Sequence, residues 1–264
     1  MRVKDKIIVV TGGGNGIGRE LVLLLLKKGA NVAAVDINEM NLKATAELAG
    51  KAKERLSLHI VDISDRAAVE TLPKAIVARH GAVDGIINNA GVIQPFVSVN
   101  ALTYEKIDFV MKVNFYGTLY MVKSFLPYLL ERPEGHIVNV SSMGGYLPVP
   151  GQSIYGASKA AVKLLTEGLY SELKNTNVKV TVVFPGAIAT NITANSGVAL
   201  ETDDKKTKKK TYKLLNPDKA AEIIVNGMEK DKFRVLAGQD AKFTDFLYRF
   251  NPRKAANFIL KKMG

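Results

Sequence analysis

The 264-residue chain contains no cysteine and no tryptophan, and it has only three histidines. The lack of cysteine excludes disulfides, thiolate nucleophiles and cysteine-ligated metals, and it suits an intracellular protein, for which we expect a cytoplasmic location. The histidines, His59, His80 and His136, are not placed at ligand spacing, so we expect no metal site. Residues 21–26 form the longest purely aliphatic run, which is far too short to span a membrane.

The chain carries a formal net charge of +12, which raises the question of a nucleic acid or an anionic membrane as partner. Six lysines lie in residues 205–213, and five basic residues lie between Arg249 and Lys262 with no acidic residue among them. No sequence signature of a base-reading fold accompanies these clusters. Because lysine-rich segments are more often solvated surfaces, we expect no nucleic-acid partner.

Apolar runs alternate with helical patterns along the chain, which predicts alternating strands and helices. The predicted strands span 6–10, 31–35, 56–61, 83–88, 136–140, 178–184 and 232–237. The predicted helices span 17–28, 39–52, 65–80, 103–131, 153–174 and 217–230. Because parallel neighbours need crossover connections, this order predicts an α/β fold built on a doubly wound, Rossmann-like sheet of seven parallel strands.

A glycine-rich turn, TGGGNGIG at residues 11–18, follows the first predicted strand and opens a helix. Its glycines let the backbone approach a pyrophosphate at the positive helix N-terminus, although such a turn can also be purely structural. Asp36 ends the second predicted strand, where a carboxylate can accept hydrogen bonds from a ribose diol. An acid there repels a 2′-phosphate, and neither Asn15 nor Ile37 offers a compensating cation, so we expect NAD rather than NADP.

Tyr155 and Lys159 are four residues apart in a predicted helix, so their side chains share one face about one turn apart. An ammonium within about 4–6 Å favours phenolate and lowers a tyrosine pKa by roughly 1–3 units, which prepares the phenol for acid–base chemistry. Ser142, at the end of a predicted strand, would hydrogen-bond the same substrate oxygen. The alternative is an ordinary amphipathic helix with a surface tyrosine and lysine.

Together these segments resemble the short-chain dehydrogenase/reductase family in its compact, single-domain type. The resemblance covers residues 5 to about 190, and its motifs stand in the family's order and spacing: TGGGNGIG (11–18), Asp62, NNAG (88–91), Asn114, Ser142, YGASK (155–159) and PGAIAT (185–190). It implies an NAD(P)-dependent alcohol dehydrogenase or carbonyl reductase, in which hydride transfer is coupled to proton transfer through Tyr155. It also implies a homo-oligomer, since family members are commonly dimers or tetramers.

The resemblance assigns a catalytic set of Asn114, Ser142, Tyr155 and Lys159. Tyr155 would be the acid/base, Lys159 would bond the nicotinamide ribose and lower the tyrosine pKa, and Asn114 would hold a water that links Lys159 to solvent. With the glycine turn and the end of the second strand, the expected cofactor-binding set is Gly12, Asn15, Gly16, Ile17, Gly18, Asp36, Ile37, Asp62, Ile63, Asn89, Ala90, Gly91, Tyr155, Lys159, Pro185, Gly186, Ile188 and Thr190. As alternatives, Asn114 could face solvent from a helix, Asp62 could cap a strand end, and Thr190 could cap a helix.

The substrate side of this fold is expected at residues 94–96, 143–151, 187–188 and a flexible loop, 191–215. Most side chains there are apolar, and no arginine is placed to clamp a carboxylate or phosphate. We therefore expect an apolar secondary alcohol or ketone as the small-molecule substrate.

Residues 1–240 are predicted to form the dinucleotide-binding and catalytic part of a single domain, and residues 241–264 a helical extension of it. The apolar residues on one helical face of the extension are Phe243, Phe246, Leu247 and Phe250. A second short helix is predicted after Asn251. The extension would either cover the pocket or a dimer surface, or lie on an anionic membrane as a peripheral, basic amphipathic segment.

Three other functions are compatible with parts of the pattern. A catalytically idle NAD(H)-binding sensor or scaffold would keep the glycine turn, and only an activity assay excludes it. A sugar-nucleotide epimerase or dehydratase needs an added substrate domain and a different glycine spacing. A methyltransferase would share the sheet and glycine loop but would leave the tyrosine–lysine pair and the NNAG segment unexplained.

Overall fold

Seven parallel strands form one sheet in the computed structural model, which describes residues 1–190, 192–196 and 214–263. The strands are β1 (Ile7–Thr11), β2 (Asn31–Asp36), β3 (Leu56–Ile60), β4 (Gly85–Asn88), β5 (Gly135–Val140), β6 (Val178–Pro185) and β7 (Arg234–Ala237). Their order across the sheet is β3-β2-β1-β4-β5-β6-β7, and every neighbouring pair is parallel. β1, β4 and β5 are buried along their whole length, as is typical of the central strands of a parallel sheet covered on both faces. The predicted fold class is confirmed.

Helices connect the strands and follow the last one. Within the described ranges they are α1 (Gly16–Lys27), α2 (Glu39–Ala49), α3 (Arg66–His80), α4 (Tyr104–Met111), α5 (Thr118–Leu130), α6 (Ser153–Glu172), α7 (Ile192–Asn195), α8 (Pro217–Glu229), α9 (Gln239–Phe250) and α10 (Pro252–Met263). Short 3₁₀ segments span Gly50–Arg55, Val99–Ala101 and Met143–Gly145. The last two helices, α9 and α10, form the C-terminal end of the described chain.

Each face of the sheet carries its own apolar core. On one face, α1 and α8 bury side chains such as Leu25 and Ile224 against the strands. On the other face, α3 and α5 bury side chains such as Ile76 and Phe125. The strand order reverses between β1 and β4, and the crevice outside the carboxyl ends of the strands at such a point is where doubly wound sheets bind ligands.

The prediction of a single helix over residues 103–131 is wrong in one detail. A π-helical segment, Lys112–Gly117, separates α4 from α5. Such segments are rare in helices and frequently occur at functional sites. The helical pattern of the sequence does not reveal it, because the change in period lasts for little more than one turn.

Residues 191 and 197–213 lie outside the described residues, and they include most of the predicted substrate loop and all six clustered lysines. In the part of the chain that the structure describes, no helix has both the length and the hydrophobicity that a transmembrane span requires.

Candidate active site

The glycine turn joins the end of β1 to the start of α1. Asn15 caps α1, because its side-chain oxygen accepts the N–H of Gly16 at 2.7 Å. Gly12 has a φ of +68°, which glycine adopts readily, and a Cβ there would lie 2.9 Å from Asn89 Nδ2. A Cβ at Gly18 would lie 1.9 Å from the carbonyl oxygen of Gly12, so Gly18 is required for packing inside the turn. The turn therefore presents bare backbone at a helix N-terminus.

Asp36 lies at the end of β2 and holds the glycine turn in place. One carboxylate oxygen accepts the N–H of Gly14 at 2.9 Å, and the other accepts the N–H of Asn38 at 3.0 Å. A Cβ at Gly14 would lie 2.9 Å from the same carboxylate. Each carboxylate oxygen has a further lone pair, so the group can still accept hydrogen bonds from a ribose.

Thr11 fixes the segment after β4 to the end of β1. Its buried hydroxyl accepts the N–H groups of Asn89 and Ala90, both at 3.0 Å. The Asn89 side chain in turn donates to the Thr11 carbonyl at 3.1 Å. Thr11 belongs to the glycine motif, but this role depends on a partner 78 residues away and is not visible from the sequence.

Tyr155 and Lys159 both line one cavity from α6, as their spacing predicts. Lys159 is only 4% exposed, and its ammonium donates to the carbonyl of Val140, at the end of β5, at 3.0 Å. The next residue, Ser141, donates from its hydroxyl to the Lys159 carbonyl at 2.7 Å. Ser142 follows, lines the same cavity as Tyr155, and accepts the N–H of Gly144 on its hydroxyl oxygen at 3.0 Å. The alternative of a surface tyrosine and lysine is therefore wrong.

Burial controls the ionisation of this pair. It raises the pKa of Tyr155 above the ordinary value of 10.0, and the hydrogen bond with Ser142 opposes that shift. Burial also lowers the pKa of Lys159 from 10.5 to about 8. The expected lowering of the tyrosine pKa is therefore wrong for this structure, because desolvation of the phenol outweighs the stabilisation of phenolate. At neutral pH the pair is a neutral phenol with a mostly charged ammonium.

Asn114 lies in the π-helical segment and is completely buried, so the solvent-facing alternative is wrong. Its Oδ1 accepts the N–H of Val92 at 2.8 Å, and its Nδ2 donates to the Val92 carbonyl at 2.9 Å. The same Nδ2 lies 2.9 Å from Ser158 Oγ in α6, to which it donates. A Cβ added to Gly91 would lie 3.0 Å from Lys159 Nζ and 3.1 Å from Asn114 Oδ1. Gly91 thus keeps a small space open between the two polar groups.

The expectation that Gln94 faces the substrate is wrong. Its side chain is fully buried, and its Oε1 accepts the N–H groups of Ile154 and Tyr155, both at 2.9 Å. Its Nε2 donates to the Gly151 carbonyl at 2.8 Å, and Gln152 donates to the Gln94 carbonyl at 2.8 Å. Since no hydrogen bond from a local side chain caps α6, Gln94 caps this helix from a distant part of the chain.

One cavity of about 670 Å³ extends from the glycine turn to Tyr155, a volume typical of ligand pockets. The predicted site residues that line it are Gly12, Asn15, Gly16, Ile17, Asp36, Ile37, Asp62, Ile63, Asn89, Ala90, Gly91, Ser142, Tyr155, Lys159, Pro185, Gly186, Ile188 and Thr190. Gly18 and Asn114 do not line it, because Gly18 is packed inside the turn and Asn114 is buried against Val92.

The cavity has the parts that a nicotinamide dinucleotide needs. The bare turn at the N-terminus of α1 suits a pyrophosphate. Asp36 stands at the end of β2, within reach of a ribose. Asp62 forms a local turn by accepting the N–H of Ser64 at 2.8 Å, and it lines the cavity together with Ile63. Within the described ranges, no group of three or more histidine, cysteine, aspartate or glutamate side chains could hold a metal ion.

Comparison with known proteins assigns the chain to the family that its sequence motifs resemble. The sequence model of the family described as short chain dehydrogenase matches residues 6–200. The Mycobacterium tuberculosis protein SadH, named as an oxidoreductase, is 38% identical over 252 residues, which cover 93% of this chain and 91% of SadH.

Solved structures agree on the fold. A short chain dehydrogenase/reductase from Burkholderia phymatum in complex with NAD superposes with a TM-score of 0.86 at 26% identity, covering 96% of both chains. A short chain dehydrogenase from Burkholderia cenocepacia in complex with NADP superposes with a TM-score of 0.82 at 25% identity, covering 98% of this chain and 99% of the other. The chain described here therefore belongs to the short chain dehydrogenase family of oxidoreductases.

Proposed function

We propose that this protein interconverts a secondary alcohol and a ketone of an apolar substrate, with NAD(H) as cofactor and Tyr155 as the acid/base. The observation that carries the proposal is the convergence of Ser142, Tyr155 and Lys159 at one end of a cavity whose other end is the glycine turn. A bound nicotinamide would supply the hydride acceptor or donor, and the protein supplies the proton and the geometry.

The three side chains have complementary tasks in the proposed reaction. In reduction, the neutral phenol of Tyr155 donates its proton to the developing alkoxide oxygen, and Ser142 hydrogen-bonds the same oxygen. In oxidation, the phenol must first lose its proton to solvent; the tyrosinate then accepts the hydroxyl proton, and the Lys159 ammonium, one helical turn away on α6, stabilises that anion. Asn114 keeps the role that the family resemblance implies, which is to hold a water that links Lys159 to solvent.

The charges around the cavity support NAD over NADP. Among the described residues that line the cavity, Lys159 is the one lysine or arginine, and it lies at the Tyr155 end. The carboxylates of Asp36 and Asp62 line the opposite end, where the adenosine of the cofactor would lie. A 2′-phosphate there would face acids without a compensating cation. The related structures named above contain NAD in one case and NADP in the other, so the preference is proposed from this chain's own residues.

The walls of the cavity near Tyr155 support an apolar substrate. The apolar residues that line this part are Ile93, Phe96, Met143, Val149, Ile188 and Ile192. No arginine stands among the described lining residues to bind a carboxylate or phosphate. A cytoplasmic location and a homo-oligomeric state remain predictions.

The test is a panel of secondary alcohols and ketones, from small polyols to long-chain and polycyclic compounds, assayed separately with NAD(H) and NADP(H). We expect turnover with NAD(H) that increases with the apolar surface of the substrate. A clear preference for polyols would contradict the apolar substrate, and a preference for NADPH would contradict the cofactor choice. Tight NADH binding without turnover of any compound would instead favour the idle sensor or scaffold.

A further inference from the structure

The helix α9 presents large apolar side chains to solvent. Phe243, Phe246 and Phe250 are 52%, 72% and 76% exposed. Their spacing of three and four residues places them on one face of the helix. We refer to these three residues as the phenylalanine face. Three neighbouring exposed phenylalanines are a larger apolar group than the scattered hydrophobic residues of an ordinary surface, and such patches mark interaction sites.

The two helices α9 and α10 also carry many exposed basic side chains. The exposed basic residues of α9 and α10 are Lys242, Arg249, Arg253, Lys254, Lys261 and Lys262. The acidic residues within Gln239–Met263 are Asp240 and Asp245, and both are engaged with the body of the protein. Asp245 is buried and pairs with Arg234 and Arg249, while Asp240 accepts the N–H of Ala187 at 2.7 Å. The outward side of the helix pair is therefore apolar and positively charged.

The helix pair is attached to the wall of the catalytic cavity. Tyr146 follows the 3₁₀ segment that begins after Ser142, and its hydroxyl donates to the Ala241 carbonyl of α9 at 2.9 Å. Ala187, which lines the cavity, is held by the carboxylate of Asp240 at the start of α9. The helix that carries the phenylalanine face is thus hydrogen-bonded to the substrate end of the cavity.

We propose that the phenylalanine face and the cations around it dock on an anionic lipid bilayer. Phenylalanine side chains insert at the boundary between headgroups and acyl chains, and lysine or arginine side chains bind anionic headgroups while their stems cover apolar surface. A second copy of the chain fits less well, because a twofold interface would place these cations against the same cations of the other copy. Docking would bring the substrate end of the cavity close to a lipid phase.

The test is flotation of the purified full-length protein with vesicles of phosphatidylglycerol and phosphatidylcholine, and with vesicles of phosphatidylcholine alone. We expect binding to the anionic vesicles at low ionic strength and release near 1 M salt, where the screening length is about 3 Å. Replacing Phe246 and Phe250 together by serine should weaken binding about tenfold or more, because less apolar surface enters the bilayer. The double variant Arg253→Glu, Lys254→Glu should abolish binding at moderate salt.

Matched controls keep the result specific to this surface. Tyr104→Ser removes an aromatic residue that is 82% exposed on α4, and Lys51→Glu with Lys53→Glu reverses two exposed charges after α2; both should bind vesicles like the wild type. Binding that survives the phenylalanine and arginine–lysine changes, or that depends instead on the lysines of residues 205–213, would overturn the proposal. The proposal would also be overturned if light scattering showed that the double phenylalanine variant is a monomer where the wild type is a dimer, while its vesicle binding stays unchanged.

Discussion

The side-chain oxygen of Gln94 accepts the backbone N–H of Tyr155 at 2.9 Å, so a residue 61 positions earlier in the chain caps the helix that carries the proposed acid/base. The same oxygen accepts the N–H of Ile154, and the amide nitrogen of Gln94 holds the carbonyl of Gly151. The first turn of α6 therefore depends on one buried glutamine. This relationship makes the position of the phenol sensitive to a residue that does not line the cavity.

Gln94→Leu should lower both stability and turnover. The change leaves two N–H groups at the start of α6 without their acceptor, which costs about 1–3 kcal/mol in the free energy of unfolding. We expect kcat to fall about tenfold or more, because the first turn of α6 carries Tyr155 and small displacements of a catalytic group reduce rate strongly. Urea unfolding and steady-state kinetics measure the two effects. Gln239→Leu, at an exposed glutamine of α9, is the control and should change neither. A destabilised Gln94→Leu with unchanged kcat would contradict the positioning role.

Gly91→Ala should lower kcat with little loss of stability. The backbone at Gly91 is not in the left-handed region, so an alanine there is not strained by its φ, but its methyl group would stand 3.0 Å from Lys159 Nζ. The lysine must move, and we expect kcat to fall by about one order of magnitude or more. Gly168→Ala is the matched control in α6, because its Cβ meets no atom within 4 Å. That change should keep kcat and raise the free energy of unfolding by about 0.5–1 kcal/mol. Equal kcat values for the two variants would show that turnover does not depend on the space that Gly91 leaves beside Lys159.

Asp36→Asn should shift cofactor preference toward NADP. The asparagine oxygen can still accept the N–H of Gly14, which holds the glycine turn, while the negative charge and the hydrogen bond to the N–H of Asn38 are lost. We expect the ratio of kcat/KM for NADP to that for NAD to rise about tenfold, equivalent to roughly 1.4 kcal/mol. Asp65→Asn, at the N-cap of α3, removes a carboxylate that does not line the cavity and should leave the ratio unchanged. No shift in the Asp36 variant would mean that this charge does not select the cofactor.

The buried Lys159 should leave a signature in the pH dependence of stability. Its pKa is about 8 in the folded protein and 10.5 when unperturbed, so between these values the unfolded chain binds the proton that the folded protein has released. Stability attributable to Lys159 therefore rises with pH across this window, by on the order of 1–3 kcal/mol. The unfolding free energies of the wild type and of Lys159→Met should be measured from pH 7 to 10.5. As the pH rises, the wild type should gain stability relative to the variant. Parallel curves would show that the lysine pKa is not lowered by burial.

The sheet and most of the cavity could be predicted from the sequence because their signals are local. Mostly apolar runs such as β1 and β2 are typical of strands buried on both faces, and seven predicted strands with helices between them leave few possible arrangements. The glycine turn, Asp36 and the tyrosine–lysine spacing each encode geometry within a few residues. The carboxyl ends of parallel strands then bring these separate segments to one crevice.

The features that the sequence did not reveal are those that depend on distant partners. Gln94 acts on the backbone of Tyr155 in α6, and Thr11, at the end of β1, acts on the backbone of Asn89 after β4. Both roles appear only when these distant segments meet in the folded protein. The π-helical segment around Asn114 changes the helical period too briefly to detect. The ionisation of Tyr155 was predicted from its neighbour in sequence, whereas the degree of burial, which is a property of the whole fold, decides the direction of the shift.

The most direct measurement for the central claim is steady-state turnover of Tyr155→Phe on a substrate identified with the wild type, together with the dissociation constant for NADH. The change removes only the phenolic hydroxyl and keeps the backbone N–H that Gln94 binds. We expect turnover to fall by about 10²–10⁴-fold, the range of a general acid–base contribution, with the NADH dissociation constant nearly unchanged. A Tyr155→Phe protein that turns over the same substrate near the wild-type rate would contradict the assignment of the acid/base.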